Sequence, residues 1–131
     1  RNQPAVIDVA TANGANRGDV LAVAAALEAR SEHPLASAIL AAAPALDSPA
    51  EDVTAIAGHG LTGQIRGQHL RLGKPGWLYP GALAGDVPRL QSDGATVVLI
   101  EREGTVVAAI AACASESVSR EWTGTYGVSS V

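Results

Sequence analysis

Phenylalanine and methionine are missing from this sequence, and two tryptophans and two tyrosines make up its aromatic content. The interior must therefore be filled by Ala, Val, Leu and Ile. A single cysteine, Cys113, rules out an internal disulfide and fits a reducing compartment. No apolar run reaches the roughly 20 residues of a membrane span, so direct membrane insertion of these residues through a helix is not expected. The first residues are polar and lack a long apolar centre, which leaves no signal peptide to be expected. Positive charge is the scarcer sign: nine Lys and Arg face thirteen Asp and Glu, for a formal charge of −4. That balance disfavours non-specific nucleic-acid binding. It still admits an anionic ligand, because backbone amides and a few local cations outweigh a modest global charge.

Familiar catalytic signatures are lacking too. There is no G-x-x-x-x-G-K-[ST] phosphate loop and no G-x-S-x-G nucleophile elbow. His33, His59 and His69 match no compact zinc spacing, so no metal site is assigned.

What is present suffices for one domain. The 131 residues are 47% hydrophobic, enough for one core and too few for two. Ala5–Ala10 reads as a first strand, and Asn13–Gly18 as a loop. Asp19 is a plausible N-cap for a helix over Val20–Arg30, where Val20, Val23 and Leu27 recur at helical spacing. Proline favours the first turn of a helix and disfavours helical geometry just before it. One helix should thus end near Ser31 and a second run from Pro34 to about Ala43. Strands follow at Asp52–Ala57, Leu61–Arg66 and His69–Leu72, with Gly67 at a turn. Trp77, Leu78 and Tyr79 are expected to open a short helical turn, and Asp86–Ser92 a weaker helix. Thr96–Glu101 and Thr105–Ala111 are continuously apolar, as strands covered on both faces are. The order gives an α+β domain: a largely antiparallel, roughly six-stranded twisted sheet flanked by helical hairpins. This domain is expected over residues 1–112. Residues 113–131 form an atypical polar tail, divergent, disordered or extraneous in origin.

Two constellations could carry chemistry. Ser31-Glu32-His33-Pro34-Leu35 interrupts two alanine-rich helices and holds His33 at their corner, with Glu28 one helical turn before Glu32. These charges are either a solvated helix end or a means of recognising a base, since a carboxylate accepts from an exocyclic amine and an imidazole stacks or hydrogen-bonds. Gly58-His59-Gly60-Leu61-Thr62-Gly63 is either a glycine-rich hairpin turn or a place where amides approach a phosphate closely. It joins strand to strand with no helix behind it, so the dinucleotide-fold reading of G-x-G-x-x-G fails.

Together, these residues resemble the nucleotide-binding domain of P-type ATPases, in the heavy-metal-transporting branch. Ser31-Glu32-His33-Pro34-Leu35 looks like that branch's Ser-Glu-His-Pro-Leu signature. Glu28 stands at the family's glutamate, Gly58-His59-Gly60 matches its Gly-x-Gly loop, and Leu72-Gly73-Lys74 falls at its glycine followed usually by asparagine. The resemblance spans about residues 1–112. It implies a cytoplasmic domain of an integral membrane pump that holds ATP, accompanied by Mg²⁺. The domain would deliver the γ-phosphate to an aspartate in a separate phosphorylation domain, with an actuator domain as further partner. By resemblance, Glu28 and His33 would contact adenine, Gly58 and Gly60 would admit the ribose and phosphate side, and Gly73 would form another wall. Lys74 replaces the usual asparagine; its ammonium can meet phosphate but lacks the amide's paired donor and acceptor. The Asp-Lys-Thr-Gly-Thr phosphorylation motif is absent, so no catalytic residue is nominated and turnover by this chain alone is not expected. A protein-interaction or regulatory module without nucleotide binding is the alternative.

Overall fold

A computed structural model describes residues 4–31, 34–45, 48–92 and 94–114. The chain runs β1 (Pro4–Thr11), α1 (Arg17–Leu27), α2 (Pro34–Ala42), β2 (Glu51–Ile56), β3 (Gly60–Ile65) and β4 (Gln68–Gly73). A 3₁₀ turn (Gly81–Leu83), α3 (Asp86–Gln91), β5 (Thr96–Arg102) and β6 (Thr105–Ala114) complete it. The six strands form one sheet in the order β1-β6-β5-β4-β3-β2, and every neighbouring pair is antiparallel.

Hairpin chemistry sets much of this order. The β3–β4 turn is Arg66-Gly67 and the β5–β6 turn is Glu103-Gly104, all four residues with positive φ. Two-residue turns of that hand match the twist of the strands they join. The chain enters and leaves the sheet side by side, since Pro4 of β1 pairs with Ala114 of β6.

Successive side chains on a strand point to opposite faces, and here both faces of the central strands are covered. On one face α1 and α2 bury Leu27, Leu35 and Ile39 against Leu72, Ile100 and Ile110. On the other, Leu83, Val87 and Leu90, from the 3₁₀ turn and α3, cover Val97, Leu99 and Ala109. Burial on both faces is why β5 and β6 are continuously apolar.

Three local expectations are corrected. The N-cap of α1 is Asn16, not Asp19: Asn16 is extended and its side-chain oxygen accepts from Asp19 N at 2.9 Å. Asp19 instead pairs with Arg102 at 3.0 Å. The first helix also closes earlier than Ser31. Its last residue is Leu27, Glu28 is the C-cap, and Ser31 N donates to Glu28 O across a turn. Trp77, Leu78 and Tyr79 are not helical. Trp77 N donates to Lys74 O, Pro75 bridges to Leu78, and Gly76 has φ +104°, a left-handed geometry that a helical turn cannot contain.

Candidate functional site

The glycine loop is the three-residue connection between β2 and β3. His59 N donates to Ile56 O at 2.9 Å to close the turn, and Gly58 sits inside it with φ +80°. A Cβ on Gly58 would have no atom within 4 Å, so this glycine supplies backbone conformation and leaves open space beside it. Gly60 and Gly73 differ. They face each other in the β3–β4 register. A Cβ on Gly60 would lie 2.0 Å from Leu72 O, and one on Gly73 would lie 2.4 Å from the Trp77 ring and 2.5 Å from His59 O. The fold itself therefore requires glycine at both positions. Lys74 N donates to His59 O at 3.1 Å, joining the Gly73-Lys74 segment to the loop. Gly58, Gly60, Gly73 and Lys74, widely spaced in sequence, thus meet at one end of the sheet.

Glu28 approaches that end from the helical face. α1 starts at the opposite end of β3, where Asp19, Val23, Ile65 and Arg102 line a cavity of about 210 Å³. It then passes Gly63, where a Cβ would come within 2.8 Å of Leu27 Cδ2. The helix so runs along β3 toward the glycine loop, and Glu28 lies beyond Leu27, fully buried. His33 and Glu32 lie outside the described residues.

On the opposite face, the side chains around the glycine loop form a connected stack. The His59 and Trp77 rings are 5.5 Å apart and 16° from parallel. The Arg71 guanidinium lies 5.0 Å from the centre of the Trp77 ring, a cation–π arrangement. Arg71 also donates Nε and Nη2 to the two carboxylate oxygens of Glu101, at 2.6 and 2.8 Å. This pairing holds the guanidinium above its usual value, mainly through the hydrogen bond. His59 Nδ1 is buried with no hydrogen-bond partner. Next to the stack, Asp52, Thr62, Gln64, His69, Arg71 and Glu101 border a shallow cavity of about 290 Å³. Neither of these two cavities is lined by Gly58, Gly60, Gly73 or Lys74. Sequence reading did not single out Arg71, Trp77 and Glu101. The signals available were one of only two tryptophans, four residues after Gly73, and opposite charges on segments that pair as strands.

Known proteins resemble this chain in sequence and in fold. The chain is 39% identical over 101 residues to cation-transporting P-type ATPase B of Mycobacterium bovis, which covers 72% of this chain. It is 34% identical over 112 residues to a zinc/cadmium/lead-transporting P-type ATPase of Shigella sonnei, which covers 83% of this chain. Among solved structures, the N-domain of HMA6, a copper-transporting P-type ATPase, superposes with a TM-score of 0.68 at 28% identity, covering 84% of this chain and 98% of that one. The chain belongs to the N-domain family of heavy-metal P-type ATPases. A zinc-transporting PIB-type ATPase superposes with a TM-score of 0.76 at 32% identity, over 86% of this N-domain and 19% of that chain. The N-domain spans about an eighth of the mycobacterial relative's length, 13%. No protein-family model matches it.

Proposed function

We propose that this N-domain binds ATP and positions it for phosphorylation of an aspartate in a separate domain of a cation pump. One observation carries the reading: the Gly58–Gly60 turn and the Gly73-Lys74 segment meet at one sheet end, with open space at Gly58. Backbone amides at such a turn can approach a phosphate without side chains in the way. Lys74 adds a cation on the same side, and a buried carboxylate at Glu28 suits an exocyclic amine donor. His33 would complete the base-recognition wall with Glu28.

Mg²⁺ would arrive on the triphosphate and lower its charge, easing approach to a chain of net charge −4. The phosphorylation and actuator domains of the parent pump would be its partners, and the domain would work on the cytoplasmic side of a membrane-embedded protein. Among the described residues no helix is long and apolar enough to cross a membrane.

The competing reading is an interaction module without nucleotide binding. It draws on Lys74 replacing asparagine, and on Gly60 and Gly73 being required by packing alone. Titrating the labelled 131-residue chain with MgATP separates the two. The expected result is saturable shifts at the amides of Glu28, His33, Gly58 and Gly60. Unmoved amides, with no heat of binding by calorimetry, would remove the nucleotide reading.

A further inference from the structure

We propose that Trp77 is a positioning residue that holds the Gly58–Gly60 turn in its ligand-receiving shape, acting through the His59 ring. The inference rests on the nucleotide reading of that turn and adds a residue that the turn's own motif does not contain.

From the β4 side the backbone of the turn is held by Lys74 N, which donates to His59 O, and by the Gly60–Gly73 pairing, but the β2 side offers less. The turn connects β3 to β2, and β2 is the edge strand, with only Ile56 among its residues better than exposed. The β2–β3 register also shifts between Glu51 and Thr54, which weakens the ladder on that side. Against this, Trp77 reaches the turn from the β4 side. Its ring lies so close to Gly73 that a Cβ there would sit 2.4 Å from it, which gives the indole a flat backbone floor. The ring then stacks on His59. Because His59 Nδ1 is buried without a hydrogen-bond partner, no hydrogen bond at that atom orients the imidazole, and the stack takes that role.

The indole is in turn tied to the sheet interior. Arg71 lies over it, and Arg71 is clamped at two points by Glu101, whose side chain is 12% exposed. The contacts run from β5 through β4 to the turn: Glu101, Arg71, Trp77, His59. A turn ordered in advance loses less entropy on binding and so binds more tightly.

The test uses the 131-residue chain with Trp122→Phe, which leaves Trp77 as its sole tryptophan. MgATP affinity is measured by calorimetry, and the free-state amide spectrum is recorded for each variant. His59→Ala should bind roughly three- to tenfold more weakly, the factor expected for loss of one aromatic stack, and should shift the free-state amides of Gly58, Gly60 and Lys74. Trp77→Phe should stay within about twofold of the parent, since the phenyl ring can still stack. The His59→Ala/Trp77→Ala double variant should bind no more weakly than the weaker single one, because both remove the same contact. Parental affinity in His59→Ala, or losses that multiply in the double variant, would overturn the proposal. If Trp77→Ala does not fold, His59→Ala and Trp77→Phe still decide it. If the parent chain takes up no MgATP, the nucleotide reading falls by itself, and the free-state amides still report whether the indole holds the turn. Unshifted amides in His59→Ala would then refute it.

Discussion

Replacing Gly73 by alanine would place a methyl group 2.4 Å from Trp77 Cε3 and 2.5 Å from His59 O, where ordinary contact begins at 3.4 Å. About 1 Å of movement is needed in two directions at once. One obstacle is backbone and cannot swing aside; the other is an indole already held by Arg71 and His59. Overpacking of this kind costs about 1–3 kcal/mol. Displacing the indole forfeits about 0.5–1.5 kcal/mol of ring stacking. The reduced freedom of an unfolded alanine returns about 0.5–1 kcal/mol. The net loss is about 0.5–4 kcal/mol, which for a domain near 100 residues lowers Tm by about 2–16 °C. Thermal unfolding followed by circular dichroism measures it. Gly85→Ala is the control, because Gly85 has φ −80° and open space where its Cβ would go; its Tm should hold or rise slightly. A Gly73→Ala midpoint within about 2 °C of the parent would refute the argument, since a shift that small leaves no room for the clash.

Helix capping gives a second prediction. Asn16→Ala should cost about 1 kcal/mol in urea unfolding, whereas Asp19→Ala should cost under about 0.5 kcal/mol and lose its effect in high salt, because its pair with Arg102 is partly exposed. The Arg71–Glu101 pair should respond asymmetrically. Arg71→Ala strands a carboxylate in a residue only 9% exposed and should cost about 2–3 kcal/mol. Glu101→Ala leaves a guanidinium that can turn to water and should cost about 1 kcal/mol less, read from the same urea midpoints. Gly58→Asn should keep the fold, since asparagine tolerates positive φ. It should weaken MgATP binding by roughly tenfold by filling the space beside the turn, a loss of about 1.4 kcal/mol; unchanged affinity by calorimetry would take Gly58 out of the site.

The sequence was most legible where one strong signal had no rival. The apolar runs at Thr96 and Thr105 could be strands only if both faces were covered, and they are. Pro34 marked the start of α2 because a proline at a first turn has few other uses. Legibility failed where two residues competed for one role. Asn16 and Asp19 stand three apart, and either residue type can cap; Asn16 does so because it is extended and accepts from Asp19 N, which places Asp19 inside the first helical turn. Trp77 to Tyr79 had turn-like composition, but the geometry there is decided by Gly76 and by packing on Gly73. The glycines of the candidate site show the same limit. Their motif was visible at once. That Gly58 faces open space while Gly60 and Gly73 are crowded by backbone depends on strand pairing, which spacing along one chain does not reveal.

The pairing of Pro4 with Ala114 also sets how the domain answers a mechanical load. Both strands that carry the chain into and out of the sheet start their ladder at the same end. Tension applied through the two connections would part β1 from β6 one rung at a time, beginning at Pro4, as in opening a zipper. Strands pulled from opposite ends would instead have to break all their rungs together. Such a pull loads the strand pair at the far side of the sheet from β2 and β3. The glycine-bearing end of β3 and β4 lies outside that strand pair.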